Sequence, residues 1–129
     1  MHNQSGIYKV SGVPRTQILF NVQNQMSVSI KLGKNFAGAT TENGRKIVKA
    51  GTPLTGDLTK RSTPFTAASG NDAVGVLLHD VDVTEYDANG SLLIWGFVNL
   101  DRVDATTKGK LTGEVQDALS GKVYFLSDN

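Results

Sequence analysis

Hydrophobic and polar positions alternate most regularly across residues 73–101, where the pattern predicts two long β-strands. The pair Asn89-Gly90 lies between them, and it tolerates the positive φ angles that a type I′ hairpin turn requires. A two-residue loop at this pair would place Val83 opposite Gly96. One face of the predicted hairpin then carries Leu77, His79, Val81, Val83, Ile94, Val98 and Leu100. We expect this hairpin, with that face in the core, to be the centre of the fold.

The other face of the predicted hairpin is also partly apolar. Trp95 and Phe97 alternate with core residues on the second strand, and Tyr86 lies on the same face of the first. A core on one side of a sheet cannot bury both sets of side chains. Either residues 17–32 or a neighbouring subunit must cover this face, and we expect a mixture of the two. We therefore assign Trp95, Phe97 and Tyr86 as candidate subunit-interface residues.

Shorter elements are predicted on both sides of the hairpin. Residues 17–32 hold two stretches of alternating hydrophobic residues, which predict two strands, and Asn43-Gly44 predicts a second hairpin turn. After a polar connection at residues 104–110, Thr112 can cap a short helix that Gly121 ends, and residues 122–126 predict a last strand. The pattern predicts a mainly β, small α+β domain with a central hairpin and one short C-terminal helix.

The first fifteen residues differ from the rest of the chain. They contain two glycines, a proline and few large side chains, so we expect a flexible N-terminal arm at residues 1–15, followed by a single domain at residues 16–129. No basic stretch leads into an apolar one near the N-terminus, and no run of about eighteen apolar residues occurs. These features predict a soluble product made inside the cell, with no membrane partner.

Composition excludes several classes of function. The 129 residues include no cysteine, which excludes disulfides and thiolate chemistry. Thirteen Lys and Arg residues against twelve Asp and Glu residues give a net charge of +1, which lacks the concentrated basic charge of a nucleic-acid-binding protein. We expect no nucleic-acid partner.

Candidate chemistry is sparse. His79, Asp80 and Asp82 are the residue types that bind divalent metals, but in a regular strand His79 would lie on the opposite face from the two carboxylates. The chain has none of the common nucleophile, phosphate-loop or zinc-protease motifs. We expect no metal site, no cofactor, no catalytic residue and no enzyme activity. The alternative hypothesis is an uncharacterised hydrolase.

Three stretches carry a resemblance to a known family: KAGTPL at residues 49–54, AVGVLLHDVDV at residues 73–83, and residues 96–103. Together they resemble the lambda-like head decoration proteins of tailed bacteriophages. The resemblance implies a compact β-clip-like domain that forms a homotrimer on the outer surface of the capsid and binds the major capsid protein. The β segment at residues 17–32 and the elements after Asp104 depart from the family pattern.

The resemblance predicts a structural virion protein, made in the host cytoplasm, that stabilises the phage shell. By the same resemblance the arm would order on the shell, where Ile7, Tyr8, Val10 and Val13 are its candidate capsid-binding residues. The alternative is a carbohydrate- or receptor-binding module of a phage head or tail fibre. In that case Trp95, Tyr86 and Tyr124 would supply stacking platforms.

Overall fold

In the computed structural model, which describes residues 17–19 and 24–128, the chain forms mostly β-strands with two short α-helices near its C-terminal end. The strands are β1 Met26–Leu32, β2 Thr40–Glu42, β3 Arg45–Val48, β4 Pro53–Thr55, β5 Thr66–Ala67, β6 Gly75–Leu77, β7 Val81–Asp82, β8 Ala88–Asn99 and β9 Val123–Leu126. The helices are α1 Ala105–Lys108 and α2 Gly113–Ala118, and a 3-10 turn, Leu100–Arg102, follows β8. The predicted class, mainly β with a small α+β domain, is confirmed.

The strands form two sheets, and β8 belongs to the larger one. The larger sheet has the order β1-β8-β6-β4-β5, and β9 lies parallel to the C-terminal half of β8. The smaller sheet has the order β2-β3-β7. The other strand pairs are antiparallel. β8 is therefore the strand to which most of the larger sheet attaches.

The predicted central hairpin is partly wrong. Its two segments do pair antiparallel, with Val76 opposite Leu93, but residues 78–87 connect them rather than a two-residue turn. The predicted register with Val83 opposite Gly96 does not occur. Asn89-Gly90 lies inside β8 instead.

Long-range pairing explains why this Asn-Gly pair is not a turn. β1 runs alongside it, with Lys31 opposite Asn89 and Ile30 opposite Gly90, as part of a seven-pair ladder. A Cβ added to Gly90 would lie 3.0 Å from Leu77 Cδ1, so the glycine serves close packing between strands. The local preference for a turn is outweighed by these contacts with distant parts of the chain.

Other predicted elements are confirmed. Asn43 and Gly44 have φ angles of 51° and 78° and join β2 to β3 as a tight hairpin turn. The Thr112 side chain caps α2, and the strand predicted at residues 122–126 is β9, which begins one residue later. The prediction of a single helix is wrong, because residues 104–110 contain α1, whose first turn is capped by the Asp104 side chain.

The core consists of two clusters on opposite faces of the larger sheet. The first contains Ile18, Leu19, Ala50, Ala73, Val76, Leu78, Leu93, Val98, Val103, Leu111, Val115, Leu119 and Val123. The second contains Ile30, Leu32, Phe36, Val48, Leu54, Phe65, Leu77, Val81, Val83 and Leu92. Leu92 and Leu93 are neighbours in β8 but belong to different clusters. The middle of β8 is thus buried on both faces.

Only some of the residues covered by the N-terminal predictions are described in the structure. Of the two strands predicted in residues 17–32, β1 is confirmed, and Leu19 forms an isolated antiparallel bridge to Val98. The predicted arm at residues 1–15, with its four candidate capsid-binding residues, lies outside the described residues. Within the described part of the chain, no helix is long and apolar enough to cross a membrane.

Candidate functional site

A bulge in β8 sets up the most unusual surface of the protein. β1 pairs with β8 regularly up to Ser27 opposite Leu93, and then Met26 lies opposite Trp95, so Ile94 has no partner on β1. An extra residue in a strand exchanges the two faces for the residues that follow. Accordingly Leu93 and Val98, five positions apart, both lie in the first core cluster.

The exchange places aromatic side chains on the opposite face, which the described residues leave partly exposed. Trp95 is 41 % exposed and Phe97 is half-buried. β9 extends this surface, because Tyr124 lies opposite Phe97 in the parallel pair and is 43 % exposed, whereas its neighbour Val123 is buried in the first core cluster. Alternation in two adjacent strands therefore brings three rings to one face.

The three rings contact one another in a row. The Trp95 and Phe97 ring centroids are 5.8 Å apart with an interplanar angle of 79°, an edge-to-face contact. Phe97 and Tyr124 stack with centroids 5.2 Å apart at 19°. Met26, opposite Trp95, and Leu126, two residues beyond Tyr124, are also exposed. We call Met26, Trp95, Phe97, Tyr124 and Leu126 the aromatic face.

The energetics of the aromatic face favour association. Mutual contact holds the rings in place, so little conformational entropy remains to be lost when a partner binds. Burying the exposed part of Trp95 or Tyr124, roughly 80–100 Å² for each ring, would contribute about 2 kcal/mol at 25 cal/mol/Å². The exposed area of these five side chains is apolar apart from the Tyr124 hydroxyl, which suits the face to binding.

Tyr86 does not share this surface. It lies in the connection before β8, 76 % exposed, and not in a strand as predicted. Seven residues of extended strand, about 23 Å, separate Ala88 at the start of β8 from Trp95. The predicted grouping of Tyr86 with Trp95 and Phe97 on one strand face is wrong, and a contact of Tyr86 with another subunit stays a prediction.

The candidate metal residues have other partners. Asp80 accepts hydrogen bonds from the Ala50 backbone N–H at 2.7 Å and forms an ion pair with Lys49 Nζ at 3.2 Å. Asp82 accepts from Arg45 Nε at 2.8 Å. Within residues 17–19 and 24–128, no group of three His, Asp or Glu side chains is placed to hold a metal ion.

These ion pairs alter the protonation of their members. The Thr84 side chain, with the Arg45 guanidinium, lowers the pKa of Asp82 to about 2. Burial disfavours the charged form of Lys49, but its bonds to Glu42 and Asp80 outweigh this and raise its pKa. The Arg45–Asp82 pair links β3 to β7 within the smaller sheet, and Lys49, just after β3, links Glu42 of β2 to Asp80, just before β7. These are structural roles.

The KAGTPL motif and the strand that follows it in the resemblance form one unit, which we call the corner. Gly51 donates its N–H to the Leu77 carbonyl oxygen at 2.7 Å, and Leu77 donates to the Thr52 carbonyl at 2.9 Å. Pro53 then lies opposite Val76 as β4 pairs with β6. Two stretches more than twenty residues apart in sequence are thus hydrogen-bonded neighbours.

Sequence reasoning found part of the aromatic face. The alternation of Trp95 and Phe97 with core residues predicted that one set would lie outside the core, and the exposure of Trp95 agrees. The adjacent position of Tyr124 was missed, because parallel pairing of β9 with β8 leaves no local signal in the sequence. No family model matches the chain, and no curated protein matches it.

Proposed function

We propose that this protein is a structural component of a tailed-bacteriophage virion that binds the outer surface of the capsid and stabilises the shell. Its partner is the major capsid protein, and it acts as a homotrimer that is made in the host cytoplasm. Its action is mechanical: it binds the assembled shell and not the separated subunits, so its binding free energy adds to the stability of the shell.

The observation that carries the proposal is the aromatic face. Three contacting rings on one face of the sheet, with Trp95 and Tyr124 each more than 40 % exposed, are typical of a surface that another protein covers. We assign this face to the contact between subunits of the trimer.

The corner contains residues that resemble phage head decoration proteins. The residues that resemble decoration proteins, KAGTPL and the strand at residues 75–77, are joined through Gly51, Thr52 and Leu77. The two stretches that carry the resemblance are therefore neighbours in the fold. We propose the function from the resemblance that these residues carry.

The trimer would engage the shell through several weak contacts at once. Multivalent attachment raises the overall affinity well above that of each contact, because the second and third contacts form within an already bound molecule. We assign these contacts to Ile7, Tyr8, Val10 and Val13 at the N-terminal end. Replacing all four by serine should weaken shell binding severely and leave the trimer intact.

Co-sedimentation with expanded phage shells tests the proposal. We expect saturable binding at a fixed ratio of trimers to capsid subunits, and a higher temperature of shell disruption when the sites are full. The serine variant at positions 7, 8, 10 and 13 serves as the matched control. If the protein shows no saturable binding to the expanded shells of the phages tested, the proposal is wrong.

A glycan-binding module is the second candidate, favoured by the exposed rings of Trp95 and Tyr124, since such rings stack on sugars. Phe97 and Tyr124 already stack on each other, which leaves fewer ring faces available. A glycan array distinguishes the two candidates. Glycan binding that Trp95→Ser abolishes, without binding to shells, would establish the second candidate in place of the first.

A further inference from the structure

A groove of about 630 Å³ lies along β1, between this strand and the loop at residues 58–62. It is lined by Ser29, Ile30, Lys31, Leu58, Thr59, Arg61, Ser62 and Asn89. Its floor is the polar face of two paired strands, with Lys31 opposite Asn89, and its wall is the exposed loop at residues 58–62. We call it the Arg61 groove.

The charge of the groove is positive. Its eight lining residues include Lys31 and Arg61 and no acidic residue. The ion pairs found in the described part of the chain involve Arg45 and Lys49 instead, so the charges of Lys31 and Arg61 are not compensated there. The nearby Asp57 accepts hydrogen bonds from the Thr59 N–H and hydroxyl, which turns this carboxylate toward its own loop.

Arg61 is held in position by the strand it faces. Its Nη1 donates to the Ser29 carbonyl oxygen at 2.9 Å, which anchors the guanidinium against the edge of β1. A guanidinium has five N–H donors, so donors remain for a ligand, and they are already oriented. An anchored arginine loses less conformational freedom on binding a carboxylate than a free one does.

We propose that the Arg61 groove binds an acidic peptide segment of a partner protein, with carboxylates on Arg61 and Lys31. The hydroxyl groups of Ser29 and Ser62 and the Asn89 amide are available for the polar backbone of the peptide. The inference goes beyond the proposed function and does not depend on it, because it concerns a different surface from the aromatic face.

The lining favours a peptide over the other anions. Single-stranded nucleic acids bind through aromatic stacking together with an extended row of cations, and the groove has two cations and no aromatic residue. A free phosphate would fill only a small part of 630 Å³. An extended chain with acidic side chains fills the length of the groove and matches its charge.

Isothermal titration of the full chain with a capped Gly-Glu-Asp-Glu-Gly peptide tests the inference. Losing one charge-assisted contact should raise the Kd at least about fivefold for Lys31→Ala and for Arg61→Ala. The matched controls are Lys122→Ala, whose backbone carbonyl accepts from the Gly96 N–H, and Arg102→Ala, in the 3-10 turn after β8. Both remove the same charges near the C-terminal end of β8, away from Asn89, and should leave the Kd within about twofold. A peptide with Gln and Asn in place of the acids should bind at least about tenfold more weakly.

Two further measurements keep the test decisive if Arg61→Ala disturbs the loop. Amide chemical shifts of the wild type should move at residues 29–31, 58–62 and 89 when the acidic peptide is added. The double variant Lys31→Glu/Arg61→Glu should lose the acidic peptide and bind a lysine-containing one. Equal binding of the acidic and amide peptides, equal losses in the control variants, or tighter binding of inorganic phosphate or oligothymidine would overturn the inference.

Discussion

Gly75 shows how closely single residues determine the packing in this sheet. A Cβ added there would lie 2.5 Å from the Leu93 carbonyl oxygen and 2.9 Å from Leu92 Cγ. The first of these is a backbone atom of the neighbouring strand and cannot turn away. Any side chain at position 75 would therefore push β6 away from β8.

We expect Gly75→Ala to lower the free energy of unfolding by about 2 kcal/mol, because overpacking a core position typically costs 1–3 kcal/mol. The matched control is Gly113→Ala, where an added Cβ meets no atom within 4 Å and the residue begins α2. That change should leave stability unchanged or raise it by up to about 1 kcal/mol. Urea denaturation measures both, and equal effects at the two positions would contradict the packing argument.

Asp82 gives a prediction about acid stability. Its pKa is lowered from 3.8 to about 2 in the folded protein, chiefly by Thr84 and then by Arg45. A carboxylate with a lowered pKa stabilises the fold above its unfolded-state value, and this stability is lost as the pH falls through the folded-state value. Asp82→Asn should therefore be less stable than the wild type at pH 7, and the difference should disappear between about pH 4 and pH 2.

The pH dependence of the melting temperature, measured from pH 2 to pH 7, checks this prediction. Arg45→Gln provides a second test, because loss of the guanidinium should bring the acid transition of the remaining carboxylate to higher pH. Parallel melting curves for wild type and Asp82→Asn over the whole pH range would show that the ion pair contributes no pH-dependent stability.

At the scale of elements, the chain contains two Asn-Gly pairs that adopt different structures: one is a turn and the other lies within a strand. Asn43-Gly44 forms a turn, because short strands on both sides pair only with each other and with β7. Asn89-Gly90 stays extended, because β1 pairs with it on one side. The dipeptide is the same, so the difference comes from neighbours that are distant in sequence.

Valine substitutions separate these two environments. Asn43→Val forces a β-branched residue to a φ of 51° and should cost about 1–2 kcal/mol. Asn89→Val places a good strand former at an exposed strand position and should change stability by less than about 0.5 kcal/mol. If Asn89→Val were the more damaging of the two in urea denaturation, the placement of β8 would be wrong.

The elements that sequence predicted correctly depend on local signals. The Thr112 cap and the Val115 and Leu119 spacing are enough to define α2, and the alternation in residues 26–32 is enough to define β1. The bulge at Ile94 has no such signal, because it exists only through the pairing with Met26 and Ser27. The part of the aromatic face that depends on partner strands was therefore beyond sequence reasoning.

For the whole molecule, burial is uneven along β8. Its middle lies between two core clusters, whereas past the bulge only the first cluster continues and the other face carries Trp95 and Phe97. The described residues leave Trp95 and Tyr124 each more than 40 % exposed on this face. The central claim of our account is that another subunit covers the aromatic face.

Light scattering on the purified full chain, coupled to gel filtration, tests this claim most directly. We expect the wild type to have three times the 13.8 kDa mass of one chain, and Trp95→Ser to move toward 13.8 kDa. Leu58→Ser is the control, since Leu58 is 40 % exposed, as Trp95 is, but lies in the loop away from the aromatic face; it should keep the wild-type mass. A wild type that remains a monomer at tens of micromolar, or a Trp95→Ser variant with an unchanged trimer mass, would contradict the account.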